Sequence, residues 1–254
     1  MLAVAAVAHA QMPPSPPASA TAPAPGIVTR TAVGVGLAHL TAGDARFNYA
    51  ARFKADLDLV DFGWGRVNLV GDYEAMFGTE RRIFDLNHEN YSAGISLSYR
   101  AKAAELFAVI HHVSRHLTDR ENDRAVAWNS IGVAAERSIA RGETHLRGRV
   151  DVGKVFQHTF NDYAWAAWLT VEARRAAARR VEIYGKGQGG LMGVDDRALV
   201  PRGRQCGARL EAGARLIGAK GGVDLYLAYE RRIDGYPLSH TRARWVEVGF
   251  RVGS

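Results

Sequence analysis

Arg46-Phe47-Asn48-Tyr49-Ala50-Ala51-Arg52-Phe53-Lys54-Ala55-Asp56-Leu57-Asp58-Leu59-Val60-Asp61 is the stretch that decides the fold. Phe47, Tyr49, Ala51, Phe53, Ala55, Leu57 and Leu59 take alternate positions, and Asn48, Arg52, Lys54, Asp56 and Asp58 fall between them. Successive side chains of a strand point to opposite faces, so one face is apolar throughout and the other carries the charges. Wound as a helix, the same residues would mix around the circumference.

The alternation recurs on both sides of this segment. Val67, Leu69, Tyr73, Ala75 and Phe77 oppose Arg66, Asn68, Asp72 and Glu74. Comparable runs span 90–100, 146–156, 163–174, 205–216, 223–232 and 245–252, and weaker ones span 27–41, 104–117, 126–140 and 180–189. The total is about twelve strands, an even number of the kind found in closed transmembrane barrels. Phe47, Tyr73, Phe77, Tyr91, Tyr99, Tyr163 and Trp165 sit at strand ends, where an interfacial girdle is expected. Connections alternate between tight (61–66, 100–105, 140–144, 177–180, 219–222) and longer and polar (78–89, 117–125, 189–203, 233–241). The expected fold class is therefore all-β: a closed antiparallel transmembrane β-barrel. A soluble lipocalin-like barrel or sandwich is the alternative. Polar faces that mix Arg with Asp and Glu, and so can pair across a narrow lumen, count against it.

Composition sets outer limits. The chain has 254 residues and one Cys, so no disulfide forms within it. No apolar run reaches the roughly 18–20 residues of a membrane-spanning helix. With 33 Lys+Arg against 26 Asp+Glu the net charge is +7. The Arg residues alternate with acids rather than forming one stripe, so nucleic acid is not an expected partner. Residues 1–10 read as a signal peptide, or the truncated end of one, closing on Ala8-His9-Ala10. Residues 11–26 read as a Pro/Ala-rich spacer, and 27–254 as the barrel, with its N-terminus on the periplasmic side.

Over 27–254 the chain resembles bacterial outer-membrane β-barrels. Trp245–Val252 is similar to the last strand that the barrel-assembly machinery recognises in that class, although the chain ends Val252-Gly253-Ser254 rather than on an aromatic residue. The resemblance implies an outer-membrane location, contact with outer-membrane lipid and lipopolysaccharide, and assembly by that machinery.

One segment is chemically unusual. Ile110-His111-His112-Val113-Ser114-Arg115-His116-Leu117-Thr118-Asp119 places three His and a Ser where a lipid-facing strand is normally apolar. His112 and His116 share a face but lie about 13 Å apart at strand rise, too far for one zinc ion. His112 and Ser114 are two apart on one face, about 6–7 Å between Cα atoms, within reach for a base and a nucleophile. With Leu106, Ala108 and Ile110 facing out, both face lipid, and a hairpin centred near Glu121–Asn122 brings Asn129 beside them. This His-x-Ser with a polar partner on the next strand resembles the site of outer-membrane phospholipase A and that of the lipid A 3-O-deacylase. The resemblance implies Ser114 as nucleophile, His112 as base and Asn129 as the residue that orients the base. The Asn-Gly that follows the Ser in the phospholipase is replaced by Arg115-His116. His-x-Ser-x-His-Leu-x-Asp is also similar to a segment in a family of uncharacterised outer-membrane barrels.

Other candidates are weaker. Gly185–Gly190 lacks the Lys-Ser/Thr and helix of a phosphate loop. Glu121, Asp123, Asp195 and Asp196 are acids of outer loops that could take a divalent cation. No cofactor is expected apart from Ca²⁺, should the barrel be a hydrolase. Two functions follow: a narrow channel or structural barrel whose lumen is filled by charges such as Arg66, Asp72, Glu74, Arg147, Arg149, Glu172, Arg174, Arg209, Glu211 and Arg215, or a lipid acyl hydrolase using Ser114, His112 and Asn129 on the outer wall.

Overall fold

Each alternating run forms a strand, because a segment with one apolar and one charged face can satisfy its backbone only by pairing on both edges. A computed structural model of the chain describes residues 24–118, 125–195 and 202–254. The strands are β1 (Gly26–Leu40), β2 (Tyr49–Asp61), β3 (Arg66–Gly78), β4 (Asp85–Arg100), β5 (Glu105–Leu117), β6 (Val126–Arg141), β7 (Thr144–Thr159), β8 (Tyr163–Ala178), β9 (Val181–Val194), β10 (Gln205–Ile217), β11 (Gly222–Arg232) and β12 (Ala243–Gly253). Every strand pairs antiparallel with its neighbours in sequence. β1 and β12 then close the barrel, from Gly34 opposite Gly253 to Leu40 opposite Glu247. The fold class is as expected: all-β, a closed antiparallel barrel of twelve strands. The signal-peptide segment 1–10, most of the spacer, and Glu121, Asp123 and Asp196 lie outside the described residues.

The turns alternate as the sequence implies. The link between β6 and β7 is Gly142-Glu143, where Gly142 takes φ 58°, a conformation that costs a side-chain-bearing residue more. That end of the barrel carries the short turns and the start of β1. The other end carries the longer loops, apart from the three-residue link 160–162 between β7 and β8. There the β11–β12 loop, residues 233–242, folds into the mouth. Asp234 sits at φ 44°. The carbonyls of Asp234 and Gly235 accept hydrogen bonds of 2.6 and 3.1 Å from Arg115 of β5, on the far side of the lumen. Asp234 also accepts from Tyr163 and, at 2.7 Å, from Arg202. Arg202 in turn grips Asp162. Burial pushes the Asp162 carboxyl up, but the hydrogen bonds and charge of Arg202 outweigh it and hold it below its usual value.

The two faces are inverted relative to a soluble barrel. Val133 is 64% exposed, Leu210 61% and Val248 57%, whereas Asp56 and Glu247 are fully buried inside. The interior charges form a closed ring: Arg52 to Glu74 at 2.8 Å, Glu74 to Arg232 at 2.6 Å, Arg232 to Glu230 at 2.7 Å, Glu230 to Arg209 at 2.9 Å, Arg209 to Glu247 at 2.7 Å and Glu247 to Arg52 at 2.8 Å. Guanidinium and carboxylate alternate around it, so each charge meets two of opposite sign. Buried charges persist when each is set between partners of opposite sign in this way, although Arg209 Nε stays without a hydrogen-bond partner. The ring joins β2, β3, β10, β11 and β12 across the lumen. Most of the lumen charges expected from sequence take part in ion pairs, among them Arg66 with Glu105, Arg147 with Glu136 and Arg149 with Asp151.

Two girdle assignments are corrected. Phe47 is 3% exposed; β2 begins only at Tyr49, after a turn in which Asp44 accepts from Arg46, and the Phe47 ring packs inside against Trp245 at 5.4 Å. Tyr163 is also interior, 3% exposed, because the register with β9 shifts between Tyr163 and Trp165 and breaks the strict alternation. Tyr91 and Tyr99 remain on the outside.

Candidate functional site

Strand β5 carries its chemistry on the outer wall, towards the long-loop end. Leu106 and Ile110 are exposed and Phe107 and Val113 are buried in the lumen. That phase places His112, Ser114 and His116 on the exterior face. Register sets their neighbours. His112 lies between Ala93 and Asn129, Ser114 between Tyr91 and Ala127, and His116 opposite Glu89. Below them, toward the short-turn end, the wall is Ile95, Ile110, Ile131 and Val133, all exposed.

The side chains fall into two linked groups. Ser114 Oγ lies 2.7 Å from His116 Nε2. The His116 ring meets Tyr91 edge-on, with centroids 5.5 Å apart. His112 Nδ1 lies 2.8 Å from Asn129 Oδ1, and Asn129 Nδ2 donates to Gln157 Oε1 at 2.9 Å. An amide oxygen only accepts, so Nδ1 of His112 is the donor in this contact and Nε2 is the ring nitrogen turned away from Asn129. Glu89 accepts from Tyr73 and, at 3.0 Å, from Thr118. Ser114 is 9% exposed, tucked beneath its neighbours.

The three residues singled out in the sequence, Ser114, His112 and Asn129, therefore share one patch of the outer wall. The hydrogen bond of Ser114, however, is to His116 rather than His112. Both His residues are two positions from Ser114, so strand geometry allows either, and rotamer choice decides. Gln157 was not foreseen; it reaches Asn129 because the register of β6 and β7 shifts between Asn129 and Ser130. Arg115, which replaces the phospholipase pattern after the Ser, turns inward to Asn90 and the β11–β12 loop, so it does not reach this patch. Among the described residues no group of three or more His, Cys, Asp or Glu is placed to hold a metal ion.

The distribution of faces defines the class of the protein. It is a β-barrel with an apolar outer band and a charged interior, the arrangement required where lipid surrounds the wall. No protein-family model and no characterised protein matches the sequence. Among solved structures the chain is similar to OmpT, an outer membrane protein of Vibrio cholerae, at 8% identity over 89% of this chain and 97% of that one, with a TM-score of 0.42. It is also similar to the β-domain of the Bordetella autotransporter BrkA, at 13% identity over 88% and 96%, TM-score 0.42. A third similarity is to a triple mutant of the Rhodopseudomonas blastica porin, at 9% identity over 88% and 98%, TM-score 0.31.

Proposed function

We propose that the protein is an outer-membrane barrel that hydrolyses acyl esters of membrane lipid from its outer wall. The observation that carries this reading is Ser114 Oγ at 2.7 Å from His116 Nε2 on the exterior face. As Oγ attacks the ester carbonyl carbon, its proton passes to His116 Nε2, and the carbonyl electrons move onto oxygen. Collapse of the tetrahedral intermediate expels the alcohol oxygen, which takes the proton from His116, and leaves an acyl ester on Ser114. Water then attacks that ester while an imidazole accepts its proton, releasing the fatty acid and restoring the hydroxyl. His112, with Nδ1 held by Asn129, offers Nε2 as a second base at the same serine. The exposed Ile95, Ile110, Ile131 and Val133 give the acyl chain an apolar track below the serine, with the ester at headgroup depth. Phospholipid and lipopolysaccharide are the candidate substrates, and Ca²⁺ a candidate cofactor.

A fluorophosphonate probe tests this without knowledge of the substrate. The folded barrel is expected to be labelled at Ser114, and Ser114→Ala to remove the label. Unlabelled Ser114 in folded protein, with and without Ca²⁺, sinks the hydrolase reading.

The second reading is a structural barrel. The Arg52–Glu74–Arg232–Glu230–Arg209–Glu247 ring and the inward β11–β12 loop favour it over a channel, since they cross the lumen. Either reading places the short turns in the periplasm, with the N-terminus and the assembly machinery on that side. An epitope inserted after Asp195 is expected to be labelled on intact cells and one at Lys220 only after permeabilisation. The reverse pattern would overturn the orientation.

A further inference from the structure

We propose that the barrel interior contains a binding chamber for a small carboxylate with an apolar body, entered from the short-turn end. A cavity of about 150 Å³ lies inside the wall formed by β5 to β9. At that volume an apolar protein cavity admits a benzene-sized molecule. Val113, Trp128, Val155, Trp168 and Met192 supply the apolar lining. The space exists because several inward positions there are small: Gly94, Gly132, Gly153 and Ala166. Gly190 shapes it further. A Cβ at that position would stand 2.1 Å from the Trp168 ring, so the glycine lets the indole lie flat against β9 instead of projecting across the lumen.

Polar groups converge on the same space. Glu172 and Lys186, Thr170 and Gln188, and Trp168 and Gly190 are successive inward register pairs on β8 and β9. They make a strip of cation, amide and indole in steps of about 7 Å along the strand. The carboxylates around it are already matched: Asp151 by Arg149 at 2.7 Å, Glu136 by Arg147 at 2.6 Å, Glu211 by Arg209 at 2.9 Å, and Glu172 by Arg174. Lys186, which lines the chamber beside Arg147 and Arg149, sits between Glu172 and Glu211 in the register and is drawn to both, but lies within ion-pair distance of neither. Gln188 is 7% exposed, and its amide likewise has no hydrogen-bond partner among the described residues. Neither Lys186 Nζ nor the Gln188 amide is sealed off from the lumen; both open onto the chamber and can take a ligand. One carboxylate satisfies both, with one oxygen on Lys186 Nζ and the other accepting from Gln188 Nε2. Its apolar body then lies on Trp168 and Met192.

Access is from one side. A vestibule of about 570 Å³ at the short-turn end shares Arg147 and Glu172 with the chamber. Its lining sets Arg30, Arg147, Arg174, Arg215 and Lys220 against Glu172 and Glu182, so cations outnumber acids at the entrance even though Arg30, Arg147, Arg174 and Arg215 are each paired with a carboxylate. The opposite end is crossed by Arg115 and the β11–β12 loop. Lys186 and Gln188 face the lumen, so the chamber is separate from the Ser114 patch and does not depend on it.

The test titrates the detergent-folded barrel with 3-phenylpropionate and, in parallel, with 3-phenylpropanol, following tryptophan fluorescence and saturation-transfer NMR. The acid is expected to bind saturably and at least tenfold more tightly than the alcohol. Lys186→Met should remove that preference, Gln188→Leu should weaken acid binding severalfold, and Ala166→Phe, which fills the chamber, should abolish it. The acid–alcohol comparison uses unaltered protein, so it holds even if a variant misfolds. Non-saturable uptake, which signals partition into the micelle or a chamber filled by water alone, would overturn the proposal. So would equal affinity for acid and alcohol, or acid binding that survives Ala166→Phe in a folded variant.

Discussion

Ser114→Ala is expected to lower the release of fatty acid from phospholipid or lipid A by a factor on the order of 10⁴ or more, the scale on which serine hydrolases lose turnover without their nucleophile. Among the described residues of this patch, Ser114 Oγ is the hydroxyl held against an imidazole, at 2.7 Å from His116. His116→Ala should cost about 10²–10⁴, the usual worth of a positioned base. His112→Ala should cost less if His116 takes the proton during acylation. The inverse order would return the base to His112, where the phospholipase resemblance places it. Asn129→Ala should cost about tenfold, because Asn129 orients the ring of His112 but touches no reacting atom. All four variants should fold, since these side chains lie on the exterior wall and leave the lumen intact. Hydrolysis by Ser114→Ala at the unaltered rate would end the hydrolase reading.

Glu74→Ala should be the most destabilising single change of the barrel, by about 3–5 kcal/mol in equilibrium denaturant unfolding. Glu74 accepts from Arg52 at 2.8 Å, from Arg232 at 2.6 and 3.0 Å, and from Asn90 at 2.9 Å. Its removal leaves two guanidiniums facing each other inside the lumen without the anion between them. Glu74→Gln keeps an acceptor and the volume, and should cost roughly half as much. Asp44→Ala is the control. Asp44 and Arg46 pair at 2.7 Å on the loop between β1 and β2, with side chains 36% and 30% exposed, so water screens them and the loss should stay under about 1 kcal/mol. If Glu74→Ala and Asp44→Ala proved equally mild, the alternating ring would not be a source of stability.

How much of this was legible in the chain depends on the range of the interaction. Local alternation puts His112 and Ser114 on one face of β5, but Phe107, Val109 and Val113 make the other face apolar as well, so only the closed barrel decides which of the two meets lipid. The choice between His112 and His116 as the partner of Ser114 is not in the alternation either, because both are two residues away and only side-chain rotamers separate them. Gln157 was hidden for a related reason. A register shift between β6 and β7 delivers it, and alternation carries no record of where a bulge falls.

The sequence by itself determined the strand count, the alternation of short turns and long loops, and, for regular strands with a single apolar face, which residues face lipid or lumen. Those follow from a period of two and from the need of every backbone amide for a partner. The tertiary structure decided what meets what across the lumen. Arg232 and Glu74 are 158 residues apart, and nothing local pairs them; the closure of β1 on β12 and the stagger of the strands do. It also decided the exceptions, turning Phe47 and Tyr163 inward where a late strand start and a register shift interrupt the alternation. The chamber beside Lys186 belongs to the same category. A cavity is the volume that twelve strands leave unfilled, and small residues from several strands create it only when the closed barrel brings them to the same depth.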